Sequence, residues 1–505
     1  MKTLFLLLGI LGAFLQAQAQ YLPPVFTDPG RLQKIEKVIP VIENIYKNQF
    51  ENSHFPGLAF GVVVDGKLIY SKGFGYTDLE KKTPVTSQSL FRIASMTKSI
   101  TAMAILKLRD EGKLQLDDPV EKYIPQLKKS PGLTKDSPLI TIRHLLTHAT
   151  GLPEDNPYGD RQLADTDQEL LDFIANGLSY SNAPGLVYEY SNLGFAMLGR
   201  IITVVSKKPY QQYINETIFQ PLGMTNTIWE YTKAPANLWA HGYRWEEGKW
   251  KEEIPLHDGS HGAMGGLITS IDDFSKYVAV HLAAWPPRDD RESGPVKRSS
   301  VREMQHPWNF SGLVPNRKYP NGATGPSASA YAYGLRWVSE LNGRVGITHS
   351  GGLPGYGSQW YILPEYGIGV IAYANLTYSS LGNANWLALD TLITMAGLKP
   401  RELPVSVILA KRKDELVAII KNWDITTPIF AENFFPDRSR ELRKKDTQEL
   451  LKKIGTIQNI TPLIPENQLR GTFFIEGTNG KLQIFFTLTP ESPALIQQLD
   501  ITEVK

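Results

Sequence analysis

The sequence contains no cysteine. Disulfide bonds, a thiolate nucleophile and a lipidated cysteine are therefore excluded. The sequence also lacks an excess of one charge, since 53 Lys and Arg residues stand against 51 Asp and Glu residues. No large positive field attracts nucleic acid or anionic lipid, so we expect neither as a partner. With 505 residues, 42% of them hydrophobic, the chain is typical of a globular protein of two or three domains.

A long apolar run occurs at the start of the chain, from Leu4 to Leu15. Lys2 precedes it and Ala17-Gln18-Ala19 follows it, which is the pattern of a secretory signal peptide with a small-x-small cleavage site. The run is shorter than the ~20 residues that a membrane span requires. We therefore expect residues 1–19 to be a signal peptide, and the rest to be a periplasmic or secreted protein without a stable membrane anchor.

Strand patterns lie at two distant places, with helical patterns between them. The dipeptides Asp65-Gly66 and Asn342-Gly343 each separate two β-rich runs, as in a hairpin. Residues 95–285 are mostly helical in pattern. Residues 20–398 therefore predict an α+β domain, an α/β sandwich in which helices cover one antiparallel sheet. Residues 285–332, rich in Pro, Gly, Ser and Arg, predict a long surface loop that lines the substrate pocket.

The composition changes at residues 399–404, which we interpret as a linker. Beyond it, residues 405–505 contain two helical stretches followed by three short strand candidates. They predict a small α+β accessory domain.

Ser95 and Lys98 form an S-x-x-K motif at a junction between a strand and a helix. Spacing of three on a helix places both side chains on one face, with the serine in the positive field of the helix N-terminus. A serine hydroxyl becomes a good nucleophile when a base takes its proton, and a desolvated lysine can do so. A capping serine followed by a solvated lysine would give the same pattern.

The tripeptide Tyr-Ser-Asn occurs twice, at residues 180–182 and 190–192. The first copy runs into the turn Ala183-Pro184-Gly185. The second opens an apolar-periodic helix, which can hold a phenol and an amide in fixed directions. We therefore prefer Tyr190 and Asn192 as functional residues.

A third candidate element is His349-Ser350-Gly351-Gly352, at the end of an apolar strand pattern. Glycine lets a substrate approach the strand edge, and a backbone N–H there can face an oxyanion. His257 lies in a similar tripeptide but in a polar loop, so His349 is preferred.

His144 and His148 have the i, i+4 spacing of many zinc ligands. No glutamate lies between them and the chain has no cysteine, so we interpret both as structural. No metal or cofactor is expected.

The three motifs, in this order and setting, resemble the serine β-lactamase-related hydrolases: class C β-lactamases, penicillin-binding DD-peptidases, D-aminopeptidases and β-lactamase-fold esterases. The resemblance runs from about Gly57 to Leu398 and includes the stretches "LDDPVEKYIP", "ITIRHLLTHATGLP" and "YGLRW". It implies a β-lactamase/transpeptidase-like fold.

The resemblance also implies a role for each motif residue. Ser95 would be the acylated nucleophile, and Lys98 and Tyr190 would move protons, without a decision on which is the base. Asn192 would bind the acyl side chain of the substrate or orient Lys98. The backbone N–H groups of Ser95 and Gly352 would form the oxyanion hole, beside Gly351 and His349.

Many β-lactamases and peptidases carry lysine where this chain has His349, and a histidine is only partly charged near pH 7. This difference favours a general serine acyl hydrolase acting on an ester, an amide or a D-amino-acid peptide. A β-lactamase or DD-carboxypeptidase, and a non-catalytic protein that binds cell-wall peptides, are the alternatives. The expected partner is a small-molecule or peptide acyl substrate.

Overall fold

The computed structural model describes residues 21–504. The predicted signal peptide lies outside them and stays a prediction. The described chain divides into two compact units, residues 28–400 and a second unit in which residues 21–27 join residues 401–504. Among residues 21–504, no helix combines the length and the apolar character needed to cross a bilayer.

The larger unit contains thirteen strands and twelve α-helices among its described residues. The strands are β1 (Gly57–Val64), β2 (Lys67–Asp78), β3 (Thr83–Pro84), β4 (Phe91–Arg92), β5 (Tyr243–Glu246), β6 (Lys249–Glu252), β7 (Ile268–Thr269), β8 (Asn309–Lys318), β9 (Thr324–Tyr331), β10 (Arg336–Ser339), β11 (Val345–Leu353), β12 (Tyr356–Leu363) and β13 (Ile368–Ala374). The helices are α1 (Arg31–Asn52), α2 (Thr97–Asp110), α3 (Ile142–Leu146), α4 (Asn156–Gly159), α5 (Asp167–Ala175), α6 (Asn192–Ser206), α7 (Tyr210–Ile214), α8 (Gln220–Leu222), α9 (Gly262–Gly265), α10 (Ile271–Ala283), α11 (Arg298–Met304) and α12 (Gly382–Met395).

One antiparallel sheet organises this unit, in the order β3-β2-β1-β13-β12-β11-β10-β9-β8. The turn between β1 and β2 uses Asp65 and Gly66 at φ 50° and 77°, the left-handed conformation that a two-residue hairpin turn requires. β1 then pairs with β13, placing Leu58 opposite Ala374. The prediction of one antiparallel sheet built from distant hairpins is confirmed.

Helices cover both faces of the sheet, because β1 is buried along its whole length. Ala59 and Val63 belong to the core that includes α2, α6 and α10. Leu58 and Phe60 point the other way, into the core formed with α1 and α12. Each large apolar side chain buried in this way stabilises the fold by about 1.5–3 kcal/mol, so the sheet is held from two sides.

The prediction of a long surface loop at residues 285–332 is wrong. Helix α11 and the hairpin of β8 and β9 lie there, and the hairpin forms one edge of the sheet. An edge strand meets solvent on several sides, so it shows no clean apolar alternation, and it tolerates proline such as Pro315 in β8. Register shifts in the β8–β9 pairing obscured the pattern further.

The smaller unit contains helices α13 (Val407–Ile419), α14 (Phe434–Asp437) and α15 (Arg440–Ile454), and strands β14 (Ile457–Ile460), β15 (Ile464–Asn467), β16 (Arg470–Gly477), β17 (Lys481–Leu488) and β18 (Ile496–Val504). The strands form one sheet. Alternate residues of β16 and β17, such as Phe473 and Ile484, are buried in a core of its own that includes Leu409 of α13.

Candidate active site

Ser95 lies in a short 3-10 turn, Ala94–Met96, that leads directly into α2. The residue before it, Ala94, has φ 49°, a left-handed conformation that non-glycine residues rarely adopt. Such strain persists only where the surrounding structure enforces it, and it clusters at functional sites. The turn holds the hydroxyl of Ser95 at the wall of a cleft.

Lys98 lies one turn further along α2, and its side chain is completely buried. Its Nζ donates hydrogen bonds to Asn192 Oδ1 at 2.7 Å and to the backbone oxygen of Met264 at 2.8 Å. The Oγ of Ser95 is 3.0 Å away. Two of the three amine positions therefore face fixed acceptors on α6 and α9, and the third faces Ser95.

Burial lowers the pKa of Lys98 to about 7, although the carboxylates of Asp160 and Asp155 act in the opposite direction. Desolvation disfavours the ammonium form of a buried lysine. A large neutral fraction therefore exists near pH 7. In the neutral form, two N–H groups serve Asn192 and Met264 while the lone pair faces Ser95, which is the geometry of a base.

Tyr190 immediately precedes α6 and lies on the other side of the same hydroxyl. Tyr190 and Ser95 line the same cleft. Burial raises the pKa of the phenol, while the neighbouring Ser95 acts in the opposite direction. The phenol is therefore protonated at neutral pH. The Nζ of Lys98 lies 4.9 Å from the centre of the Tyr190 ring, so both proton carriers meet at Ser95.

The other tripeptide lies elsewhere. Tyr180 is partly buried and lines a small separate depression with Leu127 and Pro184. The structure thus brings Tyr190, and not Tyr180, to Ser95.

His148 explains why the loop before α6 is so well positioned. Its Nδ1 accepts a hydrogen bond from the backbone N–H of Ser191 at 3.1 Å, and its ring centre lies 4.3 Å from that of Tyr190. Ser191 in turn caps α6 by accepting from the N–H of Gly194. The histidine is therefore engaged in packing the tyrosine.

Asp155 fixes the same loop from the opposite side. Its carboxylate accepts hydrogen bonds from the backbone N–H groups of Asn192 and Leu193, at the positive end of α6. With its backbone held in this way, Asn192 directs Oδ1 at Lys98. The resemblance implies two roles for Asn192. This arrangement fits the one in which Asn192 orients Lys98.

His349, Gly351 and Gly352 lie on β11, opposite Ser95. Strand β10 pairs only with residues 345–348 of β11, so the strand beyond Thr348 has a free edge on that side. A Cβ on Gly351 would lie 2.2 Å from the backbone oxygen of Ile93, so only glycine permits this close approach. Ser95, His349 and Gly352 line the same cleft, whose cavity volume is about 630 Å³.

His349 is buried, and both of its ring nitrogens have hydrogen-bond partners. Its Nδ1 lies 2.6 Å from the backbone oxygen of Ser350, and its Nε2 lies 2.8 Å from the hydroxyl of Tyr331. Burial lowers the pKa of His349 to about 3. The imidazole is therefore neutral at pH 7 and supplies no positive charge to the cleft.

The cleft also contains residues that the sequence analysis missed, among them Tyr188, Arg336, Asp160 and Tyr378. Arg336 packs against the ring of Tyr188 and donates to its hydroxyl at 3.0 Å. Arg336 lies inside the otherwise apolar run "YGLRW", and this is the one local signal from which the sequence could have identified it as a functional residue. The predicted lining by residues 285–332 is wrong, since the lining residues come from other segments.

The structure gives both candidate zinc ligands other partners. His144 completes a capping box with Thr141 at the start of α3, and His148 accepts from Ser191. Within residues 21–504, no three histidine or acidic residues are grouped as they would be to hold a metal ion.

Comparison with known proteins identifies the family. The family model described as Beta-lactamase matches residues 42–393. The chain belongs to the beta-lactamase family. This family is a group of serine hydrolases and also includes penicillin-binding proteins. The resemblance predicted from the three motifs is thereby confirmed.

Two individual relatives are 29–30% identical to this chain. The chain is 30% identical over 344 residues to Protein flp of Staphylococcus aureus (strain COL), covering 66% of this chain and 62% of that protein. It is 29% identical over 336 residues to Penicillin-binding protein 4* of Bacillus subtilis (strain 168), covering 62% of this chain and 67% of that protein. The chain thus spans about 62% of the length of Protein flp.

A solved structure supports the fold. The octameric penicillin-binding protein homologue from Pyrococcus abyssi superposes with a TM-score of 0.57 at 24% identity, covering 92% of this chain and 98% of that chain. The predicted β-lactamase/transpeptidase-like fold is confirmed.

The pKa of Lys98 leads to a testable pH dependence. Because only the neutral amine accepts the proton of Ser95, we expect the rate of Ser95 labelling by a fluorophosphonate to rise with pH and level off above pH 7. Below the pKa of about 7, the rate should fall about tenfold per pH unit. Labelling rates measured between pH 5 and pH 9, with Ser95→Ala as the blank, test this. A flat profile, or a rise centred near pH 10, would contradict it.

Proposed function

We propose that this protein is a serine hydrolase that acts through a covalent acyl-enzyme on an ester, an amide or a D-amino-acid peptide. The observation that carries the proposal is the buried amine of Lys98, whose two hydrogen bonds to Asn192 and Met264 leave its third position facing Ser95 Oγ. A solvated lysine beside a capping serine would not be held in this way.

In the first half-reaction, Ser95 Oγ attacks the substrate carbonyl while its proton passes to Lys98. The backbone N–H groups of Ser95 and Gly352 receive the developing oxyanion, and each such donor lowers the barrier by about 3 kcal/mol. The tetrahedral intermediate then collapses with loss of the leaving group, and the acyl group stays on Ser95 as an ester.

The leaving group needs a proton, and Tyr190 is placed to supply it. The phenol lines the cleft together with Ser95, and burial raises its pKa, which keeps it protonated. After the phenol donates, Lys98 returns the proton that it took from Ser95. In the second half-reaction, water enters and the same proton transfers run in reverse, releasing the acid and restoring Ser95.

The arrangement argues against the alternative of a non-catalytic binding protein. A surface that only binds a peptide has no use for a desolvated amine, whose burial is unfavourable. The strained turn at Ala94 adds a further cost. Both features are expected where a nucleophile is activated.

One observation favours a second candidate, a substrate that carries a carboxylate, as β-lactams and the substrates of DD-carboxypeptidases do. Arg336 lines the cleft beside His349, and its side chain donates to the hydroxyl of Tyr188 rather than to a carboxylate. Arginine is always charged at physiological pH and binds carboxylates in a bidentate manner. It can therefore supply the charge that the neutral His349 does not.

The nucleophile is tested directly. We expect a fluorophosphonate probe to label the wild-type protein and Ser95→Ala to abolish both the labelling and the turnover of a p-nitrophenyl ester, because no other activated hydroxyl lines the cleft among the described residues. In-gel fluorescence and absorbance at the nitrophenol band report the two effects. Labelling that persists in Ser95→Ala would contradict the assignment.

The proton donor is tested with a matched pair of variants. Tyr190→Phe should lower kcat about 100-fold or more, the usual contribution of a general acid. Tyr180→Phe removes a hydroxyl from the same tripeptide outside the cleft and should leave kcat within about twofold of the wild type. The reverse pattern would mean that the wrong tripeptide has been assigned.

The carboxylate hypothesis is tested with hippuryl thioglycolate and its methyl ester, which differ only in the charge of the leaving group. Arg336→Gln should lower kcat/KM for the acid about 10- to 100-fold and leave the methyl ester little changed, as loss of a charged hydrogen-bonding partner predicts. Thiol release measures both. Arg200→Gln, on a surface ion pair with Asp167, is the matched control. Equal losses for both substrates in Arg336→Gln would contradict a carboxylate site.

A further inference from the structure

Arg336 and Asp160 lie at different places in the cleft. Arg336 lies opposite Thr348 in the pairing of β10 with β11. Tyr378 lies against Gly352, since a Cβ on that glycine would be 3.0 Å from Cδ1 of the tyrosine. Thr348 and Gly352 are four residues, about 13 Å, apart along the strand. The cation and the residues around Tyr378 are therefore well separated.

Asp160 is the acidic residue at the Tyr378 end. It directly follows α4, which packs against Asn192: a Cβ on Gly159 would lie 2.6 Å from Cβ of Asn192. Asp160 is only 2% exposed, and burial together with the nearby carboxylate of Asp160 raises the pKa of the Tyr378 phenol. This pair thus links the wall that carries Asn192 to the strand that carries Gly352.

One carboxylate oxygen of Asp160 has no hydrogen-bond donor. Among residues 21–504, no donor reaches its Oδ1, although the atom is buried and the residue lines the cleft. Buried polar atoms are nearly always paired, so an unpaired one in a cleft points to a missing ligand. The other two carboxylates of the lining are already used, because Glu154 accepts from Asn156 and Glu189 accepts from Glu154 and Asn182.

Lys98 does not donate a hydrogen bond to Asp160. Its three amine positions face Asn192, Met264 and Ser95, so it acts on Asp160 only through the electric field. Tyr378 lines the same cleft, and its side chain is half exposed.

We propose that Asp160, together with Tyr378, forms a subsite for a primary ammonium group carried by the acyl part of the substrate. The ligand class is an aminoacyl ester, amide or peptide with a free α-amino group. The proposal rests on the proposed function, because acylation of Ser95 defines which part of the substrate lies beside Asn192. Burial raises the pKa of Asp160 to about 6, which leaves the carboxylate ionised at the pH used below.

The test compares two acyl groups of the same shape. Alanyl p-nitroanilide, as each enantiomer, carries an ammonium group where isobutyryl p-nitroanilide carries a methyl group. At pH 7, where about half of Lys98 is neutral and the α-ammonium group of the substrate is mostly protonated, the wild-type protein should prefer one alanyl enantiomer. Asp160→Asn keeps the shape and removes the charge, so kcat/KM for that enantiomer should fall about 10- to 100-fold, mainly through KM. The value for the isobutyryl substrate should change less than twofold.

Asp172→Asn, an exposed carboxylate on α5 outside the cleft, is the control and should change neither value. Equal losses for both substrates in Asp160→Asn would overturn the proposal, since Asp160 would then act through Lys98 or through folding. No loss for either substrate, or a wild-type protein that cleaves only the isobutyryl compound or neither, would also overturn it. Fluorophosphonate labelling keeps the two proposals distinguishable: its absence contradicts the proposed function, and its presence with no alanyl preference contradicts this subsite alone.

Discussion

The burial of one amine is the constraint on which the site depends. Lys98 is inserted between α2, α6 and α9, where an ammonium group would lack water and would be unfavourable. Asn192 Oδ1 and the backbone oxygen of Met264 compensate part of that cost while they fix the direction of the amine. In the proposed reaction, the reactivity of Ser95 is therefore a property of helix packing. Any change that moves α6 relative to α9 also changes the surroundings of the Lys98 amine.

The polar groups of the cleft divide into those that are satisfied internally and those that are not. His349 uses both ring nitrogens on protein partners, and Asp155 uses its carboxylate on the start of α6. These groups hold the site in shape. Arg336 donates to the hydroxyl of Tyr188 rather than to a carboxylate, and Asp160 Oδ1 has no hydrogen-bond donor among the described residues. A substrate's own charges would therefore interact with these two groups of the cleft. Selectivity among acyl substrates then depends on charge spacing rather than on the third motif.

The sequence predicted those features that are encoded locally. Asp65-Gly66 indicates a hairpin because its two residues adopt left-handed conformations readily. The turn after Tyr180 distinguishes the two tripeptides because a proline and a glycine cannot continue into a helix. Ser95 and Lys98 are close in sequence, so their shared face follows from helix geometry alone.

The missed features depend on contacts between distant segments. Asp160 lies in a polar stretch, and nothing near it in sequence indicates that Gly159 packs against Asn192. The contact of His148 with Tyr190 likewise depends on the fold of the whole unit. The hairpin of β8 and β9 was missed because β8 is the edge strand of the sheet, where solvent exposure removes the apolar alternation by which strands are recognised.

The pairing of β1 with β13 has a consequence for folding. Leu58 and Ala374 are adjacent in the sheet although more than 300 residues of chain separate them, and contacts of this kind form slowly because a long loop must first be closed. Ser95 follows β1 and β2, whereas β11 is separated from β13 only by β12. Ser95 and Gly352 therefore come together only when the central sheet is complete, and we expect a chain cut short before β13 to lack an assembled site.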